Sequence, residues 1–318
     1  MNKVQFNLIA AAVLTFALAS CNNEEFVPDT GQSTGEARFS ASIDAPATRA
    51  YNQVWETNDE IGISGTTGDV TYTNVCYYTK NANGNFEPKN EADRIYYQTD
   101  AEVTFTGYYP WNNLTGGNTI SADTWGQADQ KSFDFLWAQA SGKKAKPEVK
   151  FSFAHKMAKV VLTIKKGNDI SFDEVKAALL SLEGFKHQGS FDVTTGKTTT
   201  LDATTVMWQF AGNTVDVAYN APKSENATDE TVAYTMIFFP QEFSAPLPFS
   251  AELAGKQTFK ASLDFTNANK VIDTAAKNEW VAGRQYNLGI VLNKTGIDVT
   301  GCEIKPWEEV NGGNIDAK

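Results

Sequence analysis

The sequence predicts an all-β protein made of two antiparallel β-sandwich domains in tandem. Short runs rich in aromatic and β-branched residues recur along the chain, and segments containing Gly, Asn and Pro separate these runs. Strands that repeat at a spacing of about 8–12 residues are typical of β-sandwiches. The chain has 318 residues, which is more than one hydrophobic core usually organises, so two domains are expected.

The first residues have the pattern of an export signal. Lys3 is the only charge before a run at 8–19 that is apolar apart from Thr15, and this run is too short to cross a bilayer as a helix. Leu18-Ala19-Ser20-Cys21 has the form of a bacterial lipobox, in which the chain is cut before the cysteine and the thiol is lipidated. We therefore predict a signal peptide at 1–20 and a lipid on Cys21 that anchors the precursor to the membrane. The alternative is an ordinary signal peptide followed by a chance cysteine.

A tether, a strand and a protease-sensitive segment are expected next. Residues 21–36 are polar, with glycine and proline, and are typical of a tether. Phe39, Ala41 and Ile43 then alternate with polar residues, which predicts a half-buried strand. The segment 44–50 is rich in Ala, Thr and Pro and contains Arg49, so we expect it to be exposed to proteases.

The N-terminal domain is predicted to span 37–148. Strands are expected at 60–63, 70–79, 94–97, 102–111 and 133–138. Asn83-Gly84 predicts a hairpin turn, because both residue types tolerate positive φ. The lysine-rich segment 139–150, which contains Gly142 and Pro147, is predicted to connect the two domains.

The C-terminal domain is predicted to span 149–318. The run 149–165 indicates either a pair of strands or one bent strand. Ser171 and Glu174 fit a capping box, so 172–182 is predicted as either a helical turn or a strand. Gly255 is expected at the turn of a hairpin. Further strands are expected at 190–193, 214–219, 232–239, 249–253, 257–265, 285–292 and 296–307.

Composition limits the possible functions. The formal net charge is −11, and nucleic-acid binding requires basic patches, so a nucleic-acid partner is not expected. After lipidation of Cys21, only Cys76 and Cys302 remain. An exported protein could form a disulfide between them, but two cysteines do not make a disulfide framework, and two free thiols are the preferred interpretation.

No catalytic or cofactor motif stands out. His155 and His187 are the only histidines, and neither has partners at metal-ligand spacing, so no metal, cofactor or enzymatic activity is predicted. Trp111 and Trp125 lie in or beside a loop rich in Gly and Asn. They are candidates for binding a glycan, although packing into the core is the other interpretation.

Several segments together resemble a known family. The lipobox is followed by "ATRA", "WETNDEIGI", "VTFTGYYPW", "FSFAHKMAKVVLTI" and "GRQYNLGIVLNKTGIDVTGCEIKPW" in that order. This arrangement resembles the fimbrillin family of Bacteroides-type bacteria, the lipoprotein precursors of type V pili. The resemblance covers nearly the whole chain, and it does not distinguish shaft, tip and anchor subunits.

The resemblance implies a fold and a mode of assembly. It implies two transthyretin-like sandwiches, location in a fimbrium at the outer membrane and cell surface, and partners that are other fimbrial subunits joined by strand addition. The family's proteolysis at an arginine corresponds here to cleavage between Arg49 and Ala50, which would release the strand carrying Phe39, Ala41 and Ile43. Whether 312–318 forms a second exchange strand is left open. The other interpretation on the same fold is a glycan-binding surface lipoprotein or tip adhesin, with a host or dietary glycan as ligand.

Overall fold

A computed structural model describes residues 35–43, 55–201, 205, 207–255 and 257–307. The described residues belong to one compact unit. Nearly all regular structure in the described part is β-strand, which confirms the all-β prediction. None of the helices described is both long enough and apolar enough to span a membrane.

The first group of elements contains eight strands. Two short 3-10 helices, Glu91–Asp93 and Gln130–Ser132, lie between strands. The strands are β1 Arg38–Ile43, β2 Glu60–Thr67, β3 Val70–Tyr78, β4 Asn85–Pro88, β5 Val103–Tyr109, β6 Thr119–Asp123, β7 Leu136–Gly142 and β8 Glu148–His155.

Seven of these eight strands form a closed barrel in the order β1-β4-β3-β2-β5-β7-β8. The order closes because β1 bonds to β4 on one side and to β8 on the other. Side chains alternate between the interior and the exterior of a barrel, and the interior positions here are large and apolar. Phe105 of β5, Phe151 and Phe153 of β8, and Ile61 and Ile63 of β2 are all buried in one core.

The second group of elements follows β8. Its helices are α1 Phe172–Ala177 and α2 Thr266–Asn269. Its strands are β9 Ala158–Lys166, β10 Leu179–Leu182, β11 Gln188–Asp192, β12 Lys197–Thr200, β13 Trp208–Ala211, β14 Lys223–Asn226, β15 Thr231–Phe238, β16 Gln241–Glu242, β17 Leu247–Glu252, β18 Thr258–Leu263, β19 Glu279–Trp280, β20 Arg284–Asn293 and β21 Gly296–Pro306.

Two sheets enclose the core of this second group. One has five strands in the order β14-β15-β9-β20-β21, and the other has four in the order β13-β10-β17-β18. Trp208, Phe210, Phe238 and Trp280 lie in the core that these elements share. A separate two-stranded sheet pairs β16 with β19.

A third sheet and a third core join the two groups. β6, from the first group, pairs with β11, which in turn pairs with β12. Tyr108 and Phe135 from the first group share a core with Phe191 and Phe239 from the second. The rings of Phe135 and Phe191 are stacked with their centroids 4.6 Å apart. The barrel is therefore fixed to the second group by packed side chains as well as by strand pairing.

The segment 139–150, predicted to connect two domains, joins two paired strands of the barrel. It contains the end of β7, a turn with a bridge between Lys143 and Lys146, and the start of β8. β8 lies in the barrel, and β9 is the first strand of the second group. The division into two domains and the boundary between them at 148/149 stay predictions.

Other predicted elements divide into confirmed and wrong ones. The capping box is present, with the Ser171 hydroxyl accepting from the Glu174 backbone N–H, and 172–182 contains both a helical turn, α1, and a strand, β10. The run 149–165 forms two strands, β8 and β9. The expected strand at 214–219 is wrong, because the Asp216 side chain accepts from the Ala218 backbone N–H and favours a turn. The expected strand at 94–97 is also wrong, since it forms only one isolated bridge.

Candidate functional site

The strand β1 completes the barrel by bonding to a strand on each side. It runs parallel to β8 along its whole length, starting with Arg38 beside Glu148. It runs antiparallel to β4, with Phe39 beside Phe86. Loss of β1 would leave the facing edges of β4 and β8 unpaired, and such edges accept another strand.

The side chain of Phe39 fills the barrel below β1. Phe39 is 4% exposed. The centroid of its ring lies 5.0 Å from that of Tyr77 and 5.2 Å from that of Phe105, both edge to face, and 6.0 Å from the stacked ring of Phe151. Ile43 is also buried in this core. Full burial of a Phe or Ile side chain stabilises by about 1.5–3 kcal/mol, so β1 is held by a few such contributions.

The middle of β1 is also held through its backbone. The Ala41 N–H donates to the Gly84 carbonyl oxygen at 2.7 Å, and the Ala41 carbonyl oxygen accepts from Trp55 Nε1 at 2.8 Å. Gly84 has φ of 76°, and a Cβ there would lie 2.5 Å from the Ala41 oxygen. Only glycine therefore fits this approach of the β3–β4 turn to β1.

The residues before β1 are fixed by an ion pair and by backbone hydrogen bonds. Arg94 forms ion pairs with Glu36 and Glu91, and the hydrogen bonds to these carboxylates, that of Glu36 above all, raise the pKa of Arg94. The Ala37 N–H donates to the Ile95 carbonyl oxygen at 2.9 Å. The entry to β1 is therefore anchored to the segment between β4 and β5.

Some of the site residues predicted from the sequence lie in β1, and the others lie outside the described residues. Phe39 and Ile43 are buried, and Ala41 packs partly buried beside them, so the alternation in the sequence marks the face of β1 that meets the core. Cys21, Arg49 and Ala50 lie outside the described residues, and lipidation and cleavage there stay predictions.

Sequence reasoning missed two partners of β1, Trp55 and Gly84. Asn83-Gly84 indicated a turn between strands, and the positive φ expected at Gly84 is present. Nothing in the local sequence showed that this turn would touch β1. Trp55 packs against Phe86 and Phe153 with ring centroids 5.0 and 5.5 Å apart, and that pairing depends on contacts between distant parts of the chain.

The histidines have protein partners. His155 is buried, its Nδ1 lies 2.8 Å from Asp134 Oδ1, and its ring is stacked on Trp307. His187 Nδ1 lies 2.7 Å from Asp123 Oδ1. Across the described residues, no group of three or more His, Cys, Asp or Glu side chains could hold a metal ion.

The two cysteines within the described residues are free thiols. Cys76 is buried and Cys302 half-buried. Burial raises the pKa of each thiol to about 12, so neither supplies a thiolate near neutral pH.

The two tryptophans singled out by the sequence are both partly buried against a core, Trp125 beside that of the second group and Trp111 beside the third core. The ring centroid of Trp125 lies 4.6 Å from that of His187. Trp111 lines a groove of about 850 Å³ on the outside of the barrel, called here the outer groove. Its walls are the outward-facing residues of β2, β3 and β5, the loop after β5 as far as residue 118, and residues 193 and 194.

Comparisons with known proteins give a consistent result. A family model described as fimbrillin-like matches residues 48–307. A protein of Bacteroides uniformis named "Putative fimbrium subunit Fim1C" is 29% identical over 318 residues, covering 96% of each chain.

Two crystal structures share the fold. A "putative cell adhesion protein" of Bacteroides uniformis is 26% identical with a TM-score of 0.64, and the alignment covers 86% of this chain and 99% of the other. A protein of Bacteroides ovatus with the same description is 22% identical with a TM-score of 0.66, covering 87% of this chain and 99% of the other.

Proposed function

The chain belongs to the fimbrillin-like family, and we propose that it is a structural subunit of a cell-surface fimbria that assembles by exchanging β1 for a strand of another subunit. The fimbrial role follows the family and the similarity to a protein named as a fimbrium subunit. The family supplies structural subunits, so an enzymatic role is not proposed. The exchange of β1 is the part that the geometry supports.

The observation that carries the exchange is the position of β1 as the strand that closes the barrel. In the chain, residues 44–54 connect β1 to Trp55, and Arg49 lies among them. While this connection is intact, β1 is held at a high effective concentration beside its groove, so it excludes competing strands. After a cut at Arg49, the strand would be a separate peptide that a longer strand could displace.

The route to the surface is part of the proposal. Lipidation of Cys21 would anchor the precursor to the outer membrane before assembly. Each buried CH₂ contributes about 0.8 kcal/mol to such an anchor. The same cut after Arg49 would then release the mature subunit from its lipid as well as from β1.

The test uses an arginine-specific protease on the purified, folded precursor. The other three arginines are Arg38 in β1, Arg284 in β20 and Arg94, which is held by two ion pairs. Structured backbone resists proteolysis, so Arg49 is the expected site of the first cut. We expect the cut wild-type protein to form oligomers that survive dilution, measured by size-exclusion chromatography with light scattering.

Arg49→Lys is the matched variant. It should stay monomeric with the arginine-specific protease, and it should assemble once a lysine-specific protease cuts at the same place. Assembly of uncut Arg49→Lys, or a cut wild-type protein that stays monomeric with β1 released, would overturn the exchange mechanism.

Glycan binding is a second candidate function. One observation favours it, namely that the outer groove beside Trp111 is lined without a single charged side chain.

A further inference from the structure

We infer that the outer groove is a binding site for an uncharged oligosaccharide. This inference rests on the second candidate function and is independent of strand exchange. The groove lies on the outer face of the barrel, whereas Phe39 and Ile43 of β1 point into the core. A subunit could therefore bind a glycan there both before and after assembly.

The lining of the outer groove differs from the rest of the chain. The protein carries 38 acidic and 27 basic side chains, yet the groove contains none of either. Solvent-facing positions of a sheet are commonly polar, and most positions of β2, β3 and β5 that line the groove carry hydroxyl groups. The main examples are Thr66, Thr71, Thr73 and Thr104, all exposed.

These hydroxyl groups retain hydrogen-bonding capacity. Thr66 and Thr71 bond to each other through their Oγ1 atoms at 3.1 Å, and Thr104 Oγ1 bonds to Ser141 Oγ at 3.0 Å. A hydroxyl has one donor and two acceptor sites, so each pair uses one donor and one acceptor and leaves the rest available. A surface that both donates and accepts matches the hydroxyl groups of a sugar.

Amide side chains and an aromatic ring extend this lining. Asn113 and Asn118 line the groove, and neither side chain makes a hydrogen bond within the described residues. The orientation of the Trp111 indole is fixed, because its Nε1 donates to the Asn74 carbonyl oxygen at 3.3 Å and Lys89 Nζ lies 5.3 Å from the ring centroid. The indole gives one side of the groove a rigid apolar surface of the kind that packs against the C–H faces of a sugar.

Other ligand classes fit the outer groove less well. Phosphate, sulfate and carboxylate groups are recognised through charge-assisted bonds from Arg or Lys, and the lining has neither. Nucleic acid needs a basic surface. A ligand that is mostly apolar would leave the hydroxyl and amide groups without partners, which costs free energy.

The size and construction of the groove also suit a small oligosaccharide. Its volume of about 850 Å³ falls within the range of known ligand sites, roughly 300–1,000 Å³. Most of its polar groups stand on strands of a closed barrel, so they are held in place before a ligand binds.

The test measures binding of the uncut precursor to a panel of probes. The uncharged probes are cello-, manno-, xylo- and galacto-oligosaccharides, and the charged probes are heparin, hyaluronan and polygalacturonate fragments. Binding is measured by isothermal titration calorimetry. We expect binding of at least one uncharged probe and of no charged probe.

Two variants locate the site. Trp111→Ala removes the aromatic surface. Gly117→Leu fills the groove, and it should fold normally, since a Cβ at Gly117 meets no atom within 4 Å. Each should weaken binding about tenfold or more. Gly296→Leu, at an equally open glycine that begins β21, is the control and should bind like the wild type.

The possible results distinguish two questions, whether the protein binds a glycan at all and whether the outer groove is where it binds. If Trp111→Ala fails to fold, Gly117→Leu decides the result alone. Binding that survives a substitution in the groove would show a glycan site elsewhere and overturn this inference. Failure of every uncharged probe to bind at about 5 mM, or binding of charged probes only, would overturn both the inference and the second candidate function. None of these results depends on fimbrial assembly.

Discussion

Gly84 lies in the β3–β4 turn, which approaches β1 closely. Its φ is 76°, and a Cβ there would lie 2.5 Å from the Ala41 carbonyl oxygen, so there is no room for a side chain. Gly84→Ala should therefore add two costs to the precursor, backbone strain in the left-handed region and a clash with β1. We expect a lower free energy of unfolding, measured by urea denaturation.

Gly255 provides a matched control for this substitution. It also has positive φ, 95°, but a Cβ there would meet nothing within 4 Å. Gly255→Ala should show the strain alone, so Gly84→Ala should be the more destabilising by about 1–3 kcal/mol, the usual cost of overpacking. An equal loss in the free energy of unfolding for the two substitutions would mean that a side chain at position 84 does not clash with β1.

The surroundings of single residues were predictable only where the local sequence pattern indicates which side chains are buried. The alternation around Phe39 and Ile43 was enough to identify the buried face of β1. The bond from Trp55 Nε1 to the Ala41 carbonyl oxygen was not predictable, because it joins segments whose approach is set by the whole barrel.

Among the strands, β1 should stabilise the uncut precursor and still be displaced by another strand after the cut. Phe39→Ala removes the largest side chain that β1 places among the rings of Tyr77, Phe105 and Phe151. It should lower the free energy of unfolding of the uncut precursor by about 3 kcal/mol. The same change should speed oligomer formation after protease treatment, because the cut strand leaves its groove more easily.

Ser42→Ala is the control for Phe39→Ala, since Ser42 lies on the same strand and is exposed. It should change neither stability nor assembly rate appreciably. A Phe39→Ala precursor that is less stable but assembles no faster would indicate that departure of β1 does not limit exchange.

The elements themselves were predicted with mixed success, for identifiable reasons. Long alternating runs such as those of β3, β5 and β20 were predicted because their pattern is local. Lysine, glycine and proline favour both a linker and a turn, so the composition of 139–150 does not reveal the bridged turn at 143–146. Short polar strands such as β12 and β14 were missed, because they have almost no apolar alternation. They form by pairing with neighbouring strands, which the local sequence does not show.

At the scale of the whole molecule, the order of strands could not be read from the sequence. The pairing of β1 with β8 joins residues more than a hundred positions apart, and the pairing of β6 with β11 connects the two groups of elements. The family resemblance indicated an exchangeable N-terminal strand. The structure adds that this strand closes a barrel and that the outer groove lies on a different face.

Strand exchange requires that β1 occupy the barrel only until the chain is cut after Arg49. Mass spectrometry of fimbriae sheared from cells that express the protein would test this requirement. We expect the assembled subunit to begin at Ala50, and peptides containing Phe39, Ala41 and Ile43 to be missing from the fimbriae but present in the membrane-bound precursor. Fimbriae built from chains that begin at lipidated Cys21 and retain β1 would contradict this expectation.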